Sequence, residues 1–473
     1  MAQAMEHSHH HVTAAKDRLP IFQKAVYSIG ALVNQMQAAA ISAMVLVLNL
    51  GLGMNPALVG LVGTIPRVID AFTDPMVGYT SDNFRSKYGR RRPFIFLGAL
   101  VSGLLFALMF QLHKEHSEMY NFWYFLVIQC LFVITFAFYA IPWIALGFEM
   151  TPDYHERTRL QGIGNSIAQI AWLLSPWLFT FMYTTKDVVH GARTLAIIFG
   201  VFIAVGGILP ALFNKEFFTN LPKPQRKNVM KDFLSGCGIA LRNRPFVKLC
   251  LMTFLIFNGF MLASAFTSYV IFFYDFSGDY AKGGALLGWF GTVTALSNFL
   301  FVIPLITWIA TKIGKRNTFL ITIPLSIVGY ALKWVGYNPE HPYLLLLAAP
   351  FIAFGLGSVF TIVSSMLADV CDFDEIQTGK RREGIFGAIY WWMIKLGQAA
   401  ASLISGILLN TTGFNVALGG HQTAKALFLM RMCDVGIPIV ASLIAIFIIM
   451  TFDISEDKAY DIRKQLEERR GKS

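Results

Sequence analysis

Apolar and polar residues alternate along this chain in long blocks. Apolar runs of about twenty residues, the length that crosses a bilayer as a helix, are separated by polar turns or turns containing Gly and Pro. Unbroken runs of this length favour helices over barrel strands. The pattern predicts twelve spans: 25–50, 57–80, 93–112, 121–148, 160–184, 193–213, 247–274, 284–312, 317–336, 343–370, 384–409 and 426–452.

Composition supports a membrane location. Of 473 residues, 55% are hydrophobic and only 14% are charged, and the mean hydropathy is +0.55. A water-soluble globule cannot bury that much apolar surface. The polar N-terminal segment leads into the first apolar run without a small-residue cleavage site, which indicates an uncleaved span rather than a signal peptide.

Cysteine and histidine residues indicate no metal centre. The five cysteines have neither disulfide nor metal-ligand spacing. Four histidines cluster near the N-terminus, at His7, His9, His10 and His11. A disordered tail or a non-native remnant is the favoured interpretation of this cluster, with a metal site as the alternative. No Ser/His/Asp set or phosphate-binding Gly loop occurs at usable spacing, so an enzyme is disfavoured.

Lys and Arg fall mainly in every second turn. The turn after span 2 contains Arg85, Lys87, Arg90, Arg91 and Arg92, later turns on the same side are also basic, and the alternate turns hold few basic residues. The positive-inside rule therefore predicts that both termini are cytoplasmic. Basic turns beside anionic lipid account for the net charge of +11 without a nucleic-acid partner.

A long polar stretch divides the chain into two halves. The predicted units are a cytoplasmic tail (1–24), a six-helix bundle (25–213), a cytoplasmic central loop (214–246), a second six-helix bundle (247–452) and a cytoplasmic tail (453–473). The central loop is predicted to contain a surface helix over 230–241, and the last tail to be a short charged helix. The basic turn at Gly89 is echoed at Gly314, and the turn at Arg157 is echoed at Arg382 with the same sequence separation. Duplicated halves are typical of secondary transporters with a site between the repeats.

Three charged residues lie inside span 2. Arg67, Asp70 and Asp74 have the spacing i, i+3, i+7, which places them on one face of a helix. A charge at bilayer depth costs about 2.5 kcal/mol or more, so such residues usually mark a pathway or a site. Lys395, deep in span 11, is the charge that together with Arg67 balances the two aspartates.

The same region resembles a known family. The segments Asp70-Ala-Phe-Thr-Asp-Pro-Met-Val-Gly-Tyr-Thr-Ser-Asp82 and Lys87-Tyr-Gly-Arg-Arg-Arg-Pro-Phe94 are similar to those of the glycoside–pentoside–hexuronide:cation symporters, a sugar-transporting branch of the major facilitator superfamily. The segments Ala140–Trp143, Ala368–Asp374 and Met393–Gly397 add to the resemblance. It implies an all-α polytopic membrane protein with the major facilitator fold, which has twelve transmembrane helices in two pseudo-symmetric six-helix bundles.

The resemblance assigns Asp70 and Asp74 to the site of a coupling cation, Na⁺ or H⁺. Arg67 lies one turn earlier, Lys395 falls on the family's lysine in span 11, and Thr73 offers a hydroxyl within span 2 in place of the family's helix-4 threonine. A bound cation could release one charge pairing and change which conformation is favoured. The alternative is a static charge lock between the halves that binds no ion.

The residues of the family's sugar site are replaced. Its charged positions fall at Gln35, Ala140 and Asn165, and Asn34 stands where a lysine is typical, so the charged sugar clamp is lost. The neutral Gln35, Asn34 and Asn165 still suit hydroxyl groups. Aromatic rings that would suit the apolar faces of a sugar are Trp143, Phe360, Tyr390 and Trp391, with packing or interface residues as the alternative for each.

Charged residues at the cytoplasmic ends of the spans predict a gating or loop-anchoring network of ion pairs. The predicted members are Asp369, Asp372 and Arg382 in the second half and Arg90, Arg91 and Arg92 in the first half. A solvated charged surface is the alternative.

These features together predict a secondary active transporter that moves a sugar or glycoside with Na⁺ or H⁺ across the cell (inner) membrane by alternating access. It is expected to act as a monomer among membrane lipids, with no cofactor beyond the coupling ion. A cation-coupled carrier of lysophospholipids or other amphiphiles is the nearest alternative, because the charged sugar clamp is lost and Phe is abundant, at 42 residues. A non-transporting membrane sensor is the remaining alternative.

Overall fold

The fold is described by a computed structural model for residues 18–151, 153–185, 187–216, 229–379 and 382–469. The N-terminal histidine cluster and part of the central loop lie outside these residues. The described part of the chain is helical and contains no strand. The all-α prediction is therefore confirmed.

The helices follow one another with short connections. In chain order they are α1 Ile21–Gly51, α2 Pro56–Asn83, α3 Arg92–Met109, α4 Glu118–Glu149, α5 Tyr154–Leu174 (continued by Ser175–Trp177 and Leu178–Tyr183), α6 Val188–Phe213, α7 Val229–Arg242, α8 Arg244–Asp275, α9 Tyr280–Ile313, α10 Lys315–Gly336, α11 Pro342–Thr378, α12 Glu383–Thr411, α13 Ala424–Met450 and α14 Glu456–Arg469.

The twelve predicted spans correspond to α1–α6 and α8–α13, so span 11 is α12. Eleven of the described helices are long and apolar enough to cross a membrane. The remaining span is α5, which begins earlier than predicted and carries polar residues such as Gln161 and Asn165. The other two helices, α7 and α14, occupy the positions of the predicted surface helix and charged tail helix.

Capping side chains in the polar turns determine where several helices begin. The side chains of Asn55, Ser117, Asp153 and Asp187 each accept a hydrogen bond from a backbone N–H in the first turn of the following helix. These bonds satisfy donors that the start of a helix leaves unpaired. The polar turns between apolar runs therefore determine the residues at which these helices begin.

The spans pack as two halves, α1–α6 and α8–α13, whose helices contact mainly their own half. Fully buried rings fill the interior of the first half, at Phe106, Phe110, Phe125 and Phe132. The principal contacts between the halves join α2 to α12 and the continuation of α5 to α9. In the second of these, Trp177 Nε1 donates a hydrogen bond to Thr292 Oγ1 at 2.8 Å.

The two halves repeat one arrangement at their first basic turn. Gly89 and Gly314 have positive φ angles of 109° and 79°. A Cβ atom at either glycine would collide with a carboxylate that follows the last span of the same half, Glu216 or Glu456. Glycine has no Cβ atom, so it can adopt the positive φ angle and also allow the carboxylate to approach closely. This shared arrangement supports the duplication indicated by the sequence echo.

An arginine of each of these turns binds the end of the last span in its half. Arg92 donates to the carbonyl of Leu212 in α6 at 2.9 Å, and Arg316 donates to the carbonyl of Ile449 in α13 at 3.2 Å. The last carbonyl groups of a helix are unpaired and carry partial negative charge. The two arginines therefore anchor each turn to its own half.

Glu216 caps the start of α3, because its carboxylate accepts hydrogen bonds from the backbone N–H groups of Arg90, Arg91 and Arg92 at 2.8, 2.8 and 3.1 Å. We expect Glu216→Ala to lower the free energy of unfolding by about 1–2 kcal/mol, since losing a helix cap typically costs about 0.5–2 kcal/mol. Unfolding in mixed micelles with increasing SDS measures the change. Lys215→Ala, at the neighbouring exposed position, is the control, and equal stability of the two variants would contradict the capping role.

Candidate functional site

The helix α2 presents Arg67, Asp70 and Asp74 near the midpoint of its 28 residues. The Asp70 side chain is buried, whereas the side chains of Arg67 and Asp74 are half-buried. Thr73 Oγ1 donates a hydrogen bond to the carbonyl of Asp70 at 3.2 Å, so the Thr73 hydroxyl proton is used within the helix. The structure thus places all four predicted residues of span 2 in one short segment.

Lys395 of α12 bonds to both aspartates of α2. Its Nζ lies 2.8 Å from Asp70 Oδ2 and also contacts Asp74 Oδ2. Arg67 makes no ion pair with any described residue. One ammonium group therefore faces two carboxylates at the boundary between the halves, and the Coulomb potential there favours a further cation.

Close backbone contact joins α2 and α12 beside this charged set. Thr64 Oγ1 donates to the carbonyl of Ala399 at 2.9 Å. A Cβ atom on Gly60 would lie 2.8 Å from the carbonyl oxygen of Ser402, and one on Gly406 would collide with the start of α2. The two antiparallel helices are thus tightly packed from the charged set to the end of the molecule opposite the chain termini.

The predicted polar substrate residues lie on α1 and α5. Gln35 Oε1 accepts a hydrogen bond from Trp172 Nε1 at 3.0 Å. The Oδ1 atom of Asn34 is buried and has no hydrogen-bond partner in the described part of the chain. Asn165 is exposed, on a face of α5 that it shares with the exposed Gln169. The structure brings Gln35 and α5 together, and Asn165 and Asn34 form no hydrogen bond with each other in the described part of the chain.

The four predicted aromatic residues fall into two groups. Trp143 and Tyr390 are each 6% exposed, and Trp143 stacks on Tyr27 with ring centroids 4.8 Å apart. For these two residues the structure supports the packing alternative, because their rings lie inside their own halves. Phe360 and Trp391 are 51% and 56% exposed, so contact with a substrate stays a prediction for them.

The arginines predicted to act in gating are paired within the first half. Arg90 and Arg91 both bond to Glu149 at the end of α4, with Arg91 Nη2 2.8 Å from Glu149 Oε1. Arg92 binds the end of α6, as described above. These contacts fit loop anchoring, one of the two roles predicted for the network.

Asp369, an acidic member of the predicted network, is paired within the second half, and so is the predicted Arg382. Lys315 Nζ lies 2.6 Å from Asp369 Oδ2, and Arg382 Nη1 lies 3.5 Å from Asp374 Oδ2. Asp372 is half-buried on the same end of α11. The described ion pairs here again anchor a turn to its own half. A direct gate between the halves is not formed by them.

A second set of buried charges lies in the second half, outside the predicted site residues. Lys333 of α10 and Asp434 of α13 are 1% and 0% exposed, with Nζ and Oδ1 2.6 Å apart. Thr267 Oγ1 donates to Asp434 Oδ1 at 2.9 Å, and the Tyr337 hydroxyl donates to Asp434 Oδ2 at 2.7 Å. The sequence did contain a signal for this pair, because Lys333 and Asp434 each lie inside an apolar span. Charges of this kind are rarely left unpaired in a membrane.

Two six-helix halves, joined by a charged set at the middle of their membrane spans, define a secondary membrane transporter. The chain belongs to the MFS/sugar transport protein family, whose sequence model matches residues 26–456. This match confirms the family predicted from the motif of span 2 and the turn that follows it. It also confirms that the protein is a transporter of small molecules and not an enzyme.

Several known proteins are similar to this chain over most of their length. The isoprimeverose transporter of Lactiplantibacillus pentosus is 26% identical over 82% of this chain and 79% of its own. Sodium-dependent lysophosphatidylcholine symporter 1-B of Danio rerio is 22% identical over 96% of this chain and 91% of its own. A solved structure of a variant of the nucleoside transporter NupG aligns with a TM-score of 0.68, at 13% identity, over 90% of this chain and 99% of that chain, which supports the fold.

Proposed function

We propose that the protein is a cation-coupled symporter of a sugar or glycoside that works by alternating access. The observation that carries this proposal is the position of Lys395, from the second half, against both Asp70 and Asp74 of the first half. A coupled carrier needs a site whose occupancy changes the contact between its halves. A charged set shared by α2 and α12 meets that requirement.

The coupling cation competes with Lys395 for the two carboxylates in this proposal. Pro75 has no N–H group, so the carbonyl of Ala71 lacks its helical donor and offers an oxygen beside Asp70 and Asp74. Carboxylate and carbonyl oxygens suit Na⁺, and a carboxylate alone suits H⁺. Binding of either cation releases Lys395 from one aspartate. The α2–α12 contact weakens, and the balance between conformations shifts.

A neutral, hydroxyl-rich substrate is supported by the polar face of α5. Polar side chains that are exposed on a membrane helix avoid lipid and face an aqueous pathway, so Asn165 and Gln169 are expected to line the route of the substrate. Gln35, held next to α5 by Trp172, adds a further amide. The isoprimeverose transporter among the relatives supports a sugar as the solute.

A lysophospholipid is the second candidate substrate. The Danio rerio lysophosphatidylcholine symporter matches 96% of this chain. The exposed rings of Phe360 and Trp391 suit an acyl chain as well as they suit a sugar ring. The same coupling site would serve either substrate.

We place the protein in the cell (inner) membrane with both termini in the cytoplasm, because the strongly basic turns fall on the side of the chain termini. The even number of spans is consistent with termini on one side. The monomer is proposed as the functional unit, since both halves of the charged set belong to one chain.

Uptake into proteoliposomes tests the proposal directly. A panel of labelled sugars, glycosides and lysophospholipids is offered with a Na⁺ gradient, with a pH gradient, or with neither. We expect one sugar or glycoside to accumulate only when one of the two ion gradients is imposed, and to lose its accumulation when an ionophore collapses that gradient. Accumulation of lysophospholipids alone would favour the second candidate. Equilibration of every solute regardless of the gradients would contradict coupling.

A further inference from the structure

Asp275 is a buried carboxylate that has no hydrogen-bond partner among the described residues. It ends α8, in the π-helical turn Ile271–Asp275, and its residue is 4% exposed. Neither of its carboxylate oxygens has a hydrogen-bond partner among the residues that the structure describes. π-Helical turns of this kind are frequent at functional sites. The group lies in the second half, at the end of the molecule opposite the termini, and is separate from the coupling set of α2 and α12.

The nearest acidic group is already saturated. Asp434 of α13 accepts hydrogen bonds on both oxygens, from Lys333 of α10, from Tyr337 directly after α10 and from Thr267 of α8. Lys333 is in turn used by Asp434 and Thr267, with Nζ 2.7 Å from Thr267 Oγ1. The two hydroxyl groups are therefore not available to Asp275, and Lys333 forms no ion pair with Asp275 in the described part of the chain.

The nearest cation is held by aromatic rings. The Arg431 guanidinium of α13 lies 4.2 Å from the ring of Tyr274 and 4.3 Å from the ring of Trp334, and it donates to the carbonyl of Trp334 at 2.9 Å. It makes no ion pair with Asp275 within the described part of the chain. Its Nε–H is buried and also lacks a partner there.

The remaining charged groups and the histidine around this turn are exposed or only partly buried, whereas Tyr269 and Tyr280, whose rings pack on the turn, are buried and half-buried. The helix α9 begins with Asp279 and Lys282, which are exposed and paired with each other at 3.3 Å. The loop before α13 packs on Gly278 and carries His421, which is exposed. Hydrated groups of this kind do not compensate a buried carboxylate.

We propose that Asp275 is a proton-binding site, distinct from the site formed by Asp70, Asp74 and Lys395. A desolvated carboxylate without hydrogen bonds is strongly unfavourable, and a proton on one of its oxygens removes the charge. A metal ion would need several oxygen ligands, and the described residues gather no group of three or more acidic, histidine or cysteine side chains that could hold one. Proton release leaves a carboxylate whose charge is opposed by the positive charge of Arg431, so the exchange is reversible.

The experiment uses the purified full-length protein in lipid nanodiscs and needs no substrate. Infrared difference spectra across a pH titration detect the C=O stretching band that a protonated carboxyl gives and a carboxylate does not. We expect a band that persists to neutral pH in the wild type, disappears in Asp275→Asn and remains in Asp279→Asn. Asp279→Asn is the matched control, because asparagine retains the cap that Asp279 provides to α9.

An unchanged band in Asp275→Asn would overturn the proposal. A band that Na⁺ removes at constant pH would also overturn it, in favour of a metal-cation site. If Asp275→Asn does not yield folded protein, Asp275→Glu replaces it. A shift of the band in that variant supports the assignment, and an unshifted band contradicts it.

Discussion

Asp70→Asn and Asp74→Asn are each expected to abolish concentrative uptake while leaving a folded protein in the membrane. Either change leaves a single carboxylate to face Lys395, so the ammonium group neutralises it and the second carboxylate that would receive a cation is gone. An ion that does not bind one conformation better than another cannot drive the solute. Accumulation of the labelled solute in proteoliposomes measures the effect, with the inside and outside concentrations expected to equalise.

The matched control for these two variants is Asp187→Asn. Asp187 pairs with Lys114 at 3.0 Å on the surface, and such exposed pairs contribute about 0–1 kcal/mol, so full accumulation is expected. Downhill exchange of the solute by the two α2 variants would distinguish an uncoupled carrier from an unfolded one. Accumulation at the wild-type level in both Asp70→Asn and Asp74→Asn would rule out these carboxylates as the coupling site.

The fold was predictable because a bilayer imposes both a length and a composition on each helix. The weakest prediction was the start of span 5, because the first residues of α5, from Tyr154, are too polar to read as part of an apolar run. The contact of Lys395 with Asp70 and Asp74 follows from charge balance, since few charges lie deep in the spans and opposite charges in lipid must meet. Their role in ion binding stays a prediction.

The buried pair Lys333–Asp434 could have been suspected but not placed. Each residue lies inside an apolar span, yet the two are 101 residues apart, and sequence alone does not say that α10 and α13 are neighbours. No motif of the family resemblance covers either residue. The absence of a hydrogen-bond partner for Asp275 among the described residues could be predicted even less. It depends on the fact that Arg431 and Asp434 form their hydrogen bonds with other residues.

Gating and loop anchoring were both predicted for this network of charged residues, and its contacts fit loop anchoring for a geometric reason. Arg90, Arg91 and Asp369 are charged residues at the ends of spans, and sequence shows their charge but not the distance to a neighbouring helix end. In the structure the nearest opposite charges, Glu149 and Lys315, belong to the same half. These partners are 58 and 54 residues apart along the chain, so the packing of helices within a half brings them together.

Breaking the buried Lys333–Asp434 pair is expected to have the largest effect on stability. Lys333→Met leaves the Asp434 carboxylate with only the hydroxyl donors of Thr267 and Tyr337, and removing one partner of a buried ion pair typically costs about 3–5 kcal/mol. Asp434→Leu should lower the free energy of unfolding by a similar amount, because it leaves the buried Lys333 ammonium group without its carboxylate partner. Unfolding in mixed micelles with increasing SDS measures both. Lys114→Met, on the exposed pair, is the control and should cost about 1 kcal/mol or less.

The double variant Lys333→Met/Asp434→Leu should be more stable than either single variant, since apolar residues of similar volume can replace a buried ion pair at little cost. Recovery should stay incomplete because the Tyr337 hydroxyl loses its acceptor, at about 1–3 kcal/mol. The single hydroxyl proton of Thr267 can instead be donated to the carbonyl of Ala263, 2.8 Å away. Adding Tyr337→Phe should then restore most of the remaining stability. A double variant no more stable than the single variants would mean that side-chain shape, and not charge compensation, determines the stability of this cluster.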